Sequence, residues 1–119
     1  METHLIGNYN LDNALVAVAV GRFFKIPAER ISRAIAAYEP TNNRSQLKKT
    51  ADNTLIIDAY NANPTSMMAS ISNFRNMQAK NKMLILGDMR ELGKDSADEH
   101  QKIADYLEEC GFKDVVLVG

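Results

Sequence analysis

From residue 54 to the end, short aliphatic runs alternate with longer amphipathic stretches, and this alternation constrains the fold more than any other feature. Runs at Thr54 to Ile57, Met83 to Leu86 and Val115 to Val118 are separated by stretches from Thr65 to about Ala79 and from Ala97 to about Glu109. Apolar runs this short suit buried strands, and the stretches between them are long enough for helices. Strands joined through helices run parallel, because only a long connection can return the chain to the same end of the sheet. The expected class is therefore α/β with a mostly parallel sheet. Met67, Ile71 and Phe74 fall on one face of the first predicted helix, and Ser96-Ala97-Asp98-Glu99 reads as a capping box for the second.

The first forty residues have a different pattern. LDNALVAVAVGRFF (11 to 24) is read as a buried helix with Asn10 as its N-cap. A second, amphipathic helix follows, with Pro27 at its first position and Ile31, Ala34, Ile35 and Tyr38 along one stripe. EPTNNRS (39 to 45) then interrupts the periodicity, which predicts a domain boundary dividing 1–41 from 42–119. Beyond it, a polar strand at Gln46 to Thr50, a turn at Ala51-Asp52-Asn53 and the Thr54 to Ile57 run predict a hairpin leading into a central strand. The chain starts inside a helix pair and stops just after a strand, so a piece of a larger protein is expected.

Net charge is -1 and the pI about 6.1, so electrostatics offers no attraction to nucleic acid or to an anionic membrane. The single cysteine, Cys110, cannot form an internal disulfide, and no secretory leader is visible. A cytoplasmic setting is expected. The longest apolar run, Ala14 to Val20, is far below the roughly 20 residues that span a bilayer.

In open parallel sheets, ligands bind beyond the carboxyl ends of the strands. Asp58 and Asp88 each follow a strand, so both are expected on that rim. Asn63 reads as the N-cap of the next helix and Pro64 as its first residue, which aims backbone N–H groups at the same rim. Such a helix start suits a phosphate or carboxylate, although acids and asparagines also serve there as ordinary caps. LGDMRELGKD (86 to 95) resembles a phosphate-binding P-loop only superficially: five residues separate Gly87 from Gly93, and Asp95 stands where a metal-binding hydroxyl is required. Its acids Asp88 and Glu91 would repel phosphate. His100 shares a stripe with Ile103, Ala104 and Leu107, either packed at a core edge or lining a site. Arg44 lies in the interdomain stretch, solvated or reaching a nucleotide held between domains. No metal site is expected, because no second histidine or cysteine stands at ligand spacing from His100.

Four stretches together resemble the Mur ligases, and within them the branch that joins D-alanyl-D-alanine to UDP-N-acetylmuramoyl-tripeptide. GNYNLDNALVA (7 to 17) is similar to the family's asparagine motif, NNRSQ (42 to 46) to its arginine motif, and DAYNANPTSM (58 to 67) to its C-terminal aspartate motif. LGDMRELG with DSADEH (86 to 100) is similar to a segment particular to that branch. The resemblance implies that 1–41 are helices ending a central ATP-binding domain and that 42–119 are part of a Rossmann-like C-terminal domain. It implies an ATP-binding set of Asn10, Asn13, Arg44, Asp58, Asn61 and Asn63, with the asparagines of the first motif toward adenine, Arg44 toward the phosphates and Asp58 toward the ribose. Asp88, Glu91 and His100 are implied to face the incoming dipeptide. The implied activity is amide-bond formation through an acyl phosphate, with ATP and Mg2+, in peptidoglycan precursor synthesis.

The family's glycine-rich phosphate loop, magnesium ligands, modified lysine and UDP-binding domain have no counterpart in these 119 residues. Asn8 and Tyr9 also replace the arginine and histidine frequent in relatives. The chain alone is accordingly expected to be inactive, with the missing domains as its partners. The competing readings are a non-catalytic α/β nucleotide-binding or receiver-like module and an interaction domain without a ligand. The acid cluster and late lysine that a receiver needs are not found.

Overall fold

A computed structural model describes residues 3–7, 9–41 and 43–119, with the backbone alone at Tyr9. Asn8 and Asn42, and with them part of two of the quoted motifs, lie outside the described residues. The chain divides into two compact units, Met1–Tyr60 and Asn61–Gly119.

The first unit holds α1 (Tyr9–Phe23), α2 (Ala28–Ala37), β1 (Gln46–Lys49) and β2 (Thr54–Ile57). Asn10 is not the N-cap of α1. The helix starts one residue earlier, and the Asn10 backbone N–H already donates to Gly7 O at 3.1 Å. Pro27 likewise moves one place, from first helical residue to N-cap, where its extended ψ of 139° precedes the helix and its carbonyl accepts from Arg30 and Ile31. The helices pack through Gly21 of α1 and Ile31 of α2; Ile31 and Ile35 are buried, whereas Ala34 and Tyr38 are exposed. Among the described residues of α1 only Gly21 is buried, because α2 covers a single narrow stripe. The expected hairpin forms: β1 and β2 pair antiparallel from Lys49↔Thr54 to Gln46↔Ile57.

The second unit holds α3 (Pro64–Asn76), β3 (Met83–Gly87), a 3-10 turn (Gly93–Asp95), α4 (Ser96–Cys110) and β4 (Asp114–Val118). β3 and β4 pair in parallel, from Met83↔Asp114 to Gly87↔Val118. The sheet is therefore not one continuous ladder, since β2 bonds with β1 and β3 with β4. α3 and α4 pack together, and with the inward residues Leu84, Leu86 and Val115 they enclose a core of Ile71, Met89, Ile103 and Leu107. The opposite face of the sheet, carrying Met83, Ile85, Val116 and Val118, is exposed.

Helix ends explain the boundaries. Pro64 and Asn63 open α3 as the sequence predicts, but the helix stops at Asn76, three residues before Ala79, where Lys82 Nζ donates to Phe74 O at 3.0 Å and Arg75 O at 2.7 Å. A cation suits the negative end of the helix dipole. Gly111, in the left-handed region at φ 71°, ends α4. The capping box expected at Ser96 is absent: the 3-10 turn runs straight into α4, Asp95 becomes the N-cap without a side-chain bond, and Ser96 is already helical. The Ser96 N–H is taken by Gly93 O instead, and Glu99 pairs with Lys102.

Candidate functional site

Each unit carries its own set of the residues singled out from the sequence. In the first unit, the antiparallel register extends one step past Gln46↔Ile57 and sets Ser45 opposite Asp58. The Ser45 N–H donates to Asp58 Oδ1 at 3.2 Å, and the Ala59 N–H donates to Asn43 O at 2.8 Å. The 43–45 loop is thus joined to the stretch leaving β2. Asn43 and Ser45 both have left-handed φ, 57° and 49°. Asparagine tolerates that region; for serine it is uncommon, and such strain persists where surrounding contacts enforce it. Ser45 is 4% exposed, held between these strand ends. Arg44, between the two, is exposed, with its guanidinium 3.8 Å from the centre of the Tyr60 ring. Stacking of this kind holds a cation in place without neutralising it.

Asn10 and Asn13 also come together. The Asn13 amide donates to Asn10 Oδ1 at 3.1 Å, and the Asn10 amide donates to Ile6 O at 2.6 Å. One turn of α1 thereby presents two linked amides.

In the second unit, Ala62 and Met67 from the start of α3, and Met89 and Leu92 from the loop after β3, pack on the same core. Asp88 directly follows β3, at the carboxyl end of the β3–β4 sheet. Asn63 Oδ1 accepts the Ser66 N–H at 2.9 Å, and Ser66 Oγ accepts the Asn63 N–H at 3.2 Å, a reciprocal cap. Asn61 Oδ1 accepts the Ala62 N–H at 2.9 Å. The Asp88 N–H continues the parallel ladder to Val118 O at 3.0 Å, while its half-exposed carboxylate lies 3.6 Å from Arg90 Nε. A Cβ added to Gly119 would stand 3.0 Å from Asp88 Cβ, so only the smallest residue fits easily beside that acid. Glu91 is exposed, with a left-handed φ of 63°. His100 is half-buried, bonded through one ring nitrogen to the Met89 N–H at 3.0 Å and through the other to Ser96 O at 2.7 Å.

Four participants escaped the sequence reading: Ser45, Tyr60, Met89 and Gly119. For Ser45 a signal existed, since extending the hairpin register from its turn pairs positions 45 and 58. Met89 reads as a loop residue by pattern, and nothing local marks it as core. No three His, Cys, Asp or Glu side chains among the described residues converge as a metal site. No helix among them is long and apolar enough to cross a membrane.

A family model described as "Mur ligase, glutamate ligase domain" matches residues 43–119. The UDP-N-acetylmuramoyl-tripeptide--D-alanyl-D-alanine ligase of Bacillus subtilis (strain 168) is 42% identical over 91 residues, covering 75% of this chain and 20% of its own length. A crystal structure of MurF from Acinetobacter baumannii superposes with a TM-score of 0.87 at 33% identity, over 95% of this chain and 24% of that one. A MurF ligase from Thermotoga maritima, determined in complex with ADP, shares the fold at a TM-score of 0.69 and 20% identity, over 86% of this chain and 27% of its own. The chain thus spans 20% to 27% of the length of these relatives.

Proposed function

This chain belongs to the Mur ligase family, and we propose that it forms the C-terminal, nucleotide-facing part of a cytoplasmic ligase joining D-alanyl-D-alanine to UDP-N-acetylmuramoyl-tripeptide with ATP, in peptidoglycan precursor synthesis. Residues 1–41 belong in this reading to a central ATP-binding domain and 42–119 to the Rossmann-like domain, a division supported by the family match from residue 43. The observation that carries the reading is the junction of the 43–45 loop with Asp58 and Tyr60: the Ser45 N–H orients the Asp58 carboxylate, and the exposed Arg44 guanidinium stacks on Tyr60.

ATP supplies the leaving group that makes a carboxylate reactive toward an amine. Arg44 would bind its phosphates, through charge-assisted hydrogen bonds that a lysine cannot make bidentately. Asp58, oriented by the Ser45 N–H, would hold the ribose, and the linked Asn10 and Asn13 amides would face adenine. Asn61 and Asn63 would line the phosphate side, where the start of α3 favours an anion. Asp88, Glu91 and His100 belong to the dipeptide side, where carboxylates suit an ammonium group and its alignment governs the rate. Among the described residues no set of His, Cys, Asp or Glu side chains converges to hold magnesium.

The test is a graft. Replacing the corresponding segment of the Bacillus subtilis ligase with this chain should preserve amide-bond formation. Arg44→Ala in the graft should lower kcat/KM for ATP roughly ten- to hundredfold, as expected for a charge-assisted contact. The isolated 119-residue chain should neither hydrolyse ATP nor form the bond, and turnover by it would overturn the assignment.

A further inference from the structure

The two short backbone bonds of His100 determine its chemical form, the Ser96 hydroxyl standing farther from Nδ1, at 3.4 Å, than the Ser96 carbonyl. An N–H donor, that of Met89, can meet only a bare ring nitrogen, and the Ser96 carbonyl only a protonated one. The ring is therefore the neutral tautomer with the proton on Nδ1. Both nitrogens are engaged by backbone, so neither is available to a substrate or to carry a proton to one.

What the ring holds is a loop with few other ties. The Asp88 N–H is bonded to Val118 O, the Met89 side chain is 3% exposed in the core, and Glu91 then turns through a left-handed φ of 63°. Between the end of β3 and that turn, the Met89 amide is the point where α4 grips the backbone. We propose that His100 is a positioning residue: by pinning the Met89 N–H, it sets where the loop carries the carboxylates of Asp88 and Glu91. It rests on the function proposed above only in taking those carboxylates to receive the dipeptide.

Glutamine and asparagine at position 100 separate the two bonds. The Oε1 of glutamine can reach the place of Nε2 and accept the Met89 N–H, whereas the asparagine amide reaches only the place of Nδ1 and serves Ser96 alone. In the 15N-labelled 119-residue chain, the imidazole shifts of His100 should report the Nδ1-protonated tautomer. Met89 amide exchange should accelerate roughly five- to tenfold in His100→Asn and stay within about twofold in His100→Gln, given what one hydrogen bond contributes. The resonances of residues 88–92 should move in the first variant and remain in the second. An Nε2-protonated ring, or equal Met89 protection in both variants, would overturn the proposal. Titration with D-alanyl-D-alanine tests the functional reading separately: no response of the loop in the unmodified chain would count against that reading, while the tautomer and exchange results, obtained without ligand, still decide the role of His100.

Discussion

Asn63 is committed to the backbone of its own helix, with its side chain on the Ser66 N–H and its own N–H on Ser66 Oγ. Asn63→Ala should therefore cost about 1 kcal/mol of stability, and Asn63→Asp much less, as read from urea midpoints. This cap was legible because capping is local: an asparagine before a proline at a strand-to-helix junction suffices. Ser96 carries the same kind of signal and fails, because the 3-10 turn at Gly93–Asp95 delivers the chain already coiled. A surface pair gives a second test. The hydrogen bond and charge of Glu99 raise the pKa of Lys102 above its ordinary 10.5. Stability from that pair is fully present below the ordinary value and disappears as pH rises through the higher folded one. Lys102→Gln should flatten that alkaline loss, in denaturant titrations compared at about pH 9 and about pH 11.5; the exposed position keeps the effect small.

Between elements, Gly21 of α1 lies directly against Ile31 of α2. A Cβ there would stand 2.8 Å from Ile31 Cδ1 and 2.9 Å from Cγ1, inside a buried contact. Alanine is the better helix former by about 1 kcal/mol, but overpacking costs roughly 1–3 kcal/mol. Gly21→Ala should thus lower stability by up to about 2 kcal/mol, and adding Ile31→Val, which removes Cδ1 but keeps Cγ1 at 2.9 Å, should recover only part of the loss. Thermal melts of the two variants check this. The sequence predicted the helix and its partner but not the contact, since a glycine within a run of valines and alanines looks only like a defect. The antiparallel pairing of the hairpin was legible, but Thr50 belongs to its turn rather than to β1, and β2 bonds with β1 alone instead of serving as a central strand; its consequence, Ser45 against Asp58, required carrying the register beyond the ladder.

At the scale of the whole molecule, the α/β order, the parallel pairing of β3 with β4 and the family were visible in the pattern of apolar runs and in four short motifs. The division of the strands between two sheets was not, because apolar spacing identifies strands without saying which will bond. Nor did pattern reveal which side of the β3–β4 sheet the helices cover. Both α3 and α4 press on the side bearing Leu84, Leu86 and Val115, leaving Met83, Ile85, Val116 and Val118 wet. Aliphatic groups hydrated before unfolding add nothing to the heat-capacity rise that unfolding produces. The increment from scanning calorimetry should fall below the usual 12–15 cal/mol/K per residue, giving a flatter curve of stability against temperature and weaker cold denaturation.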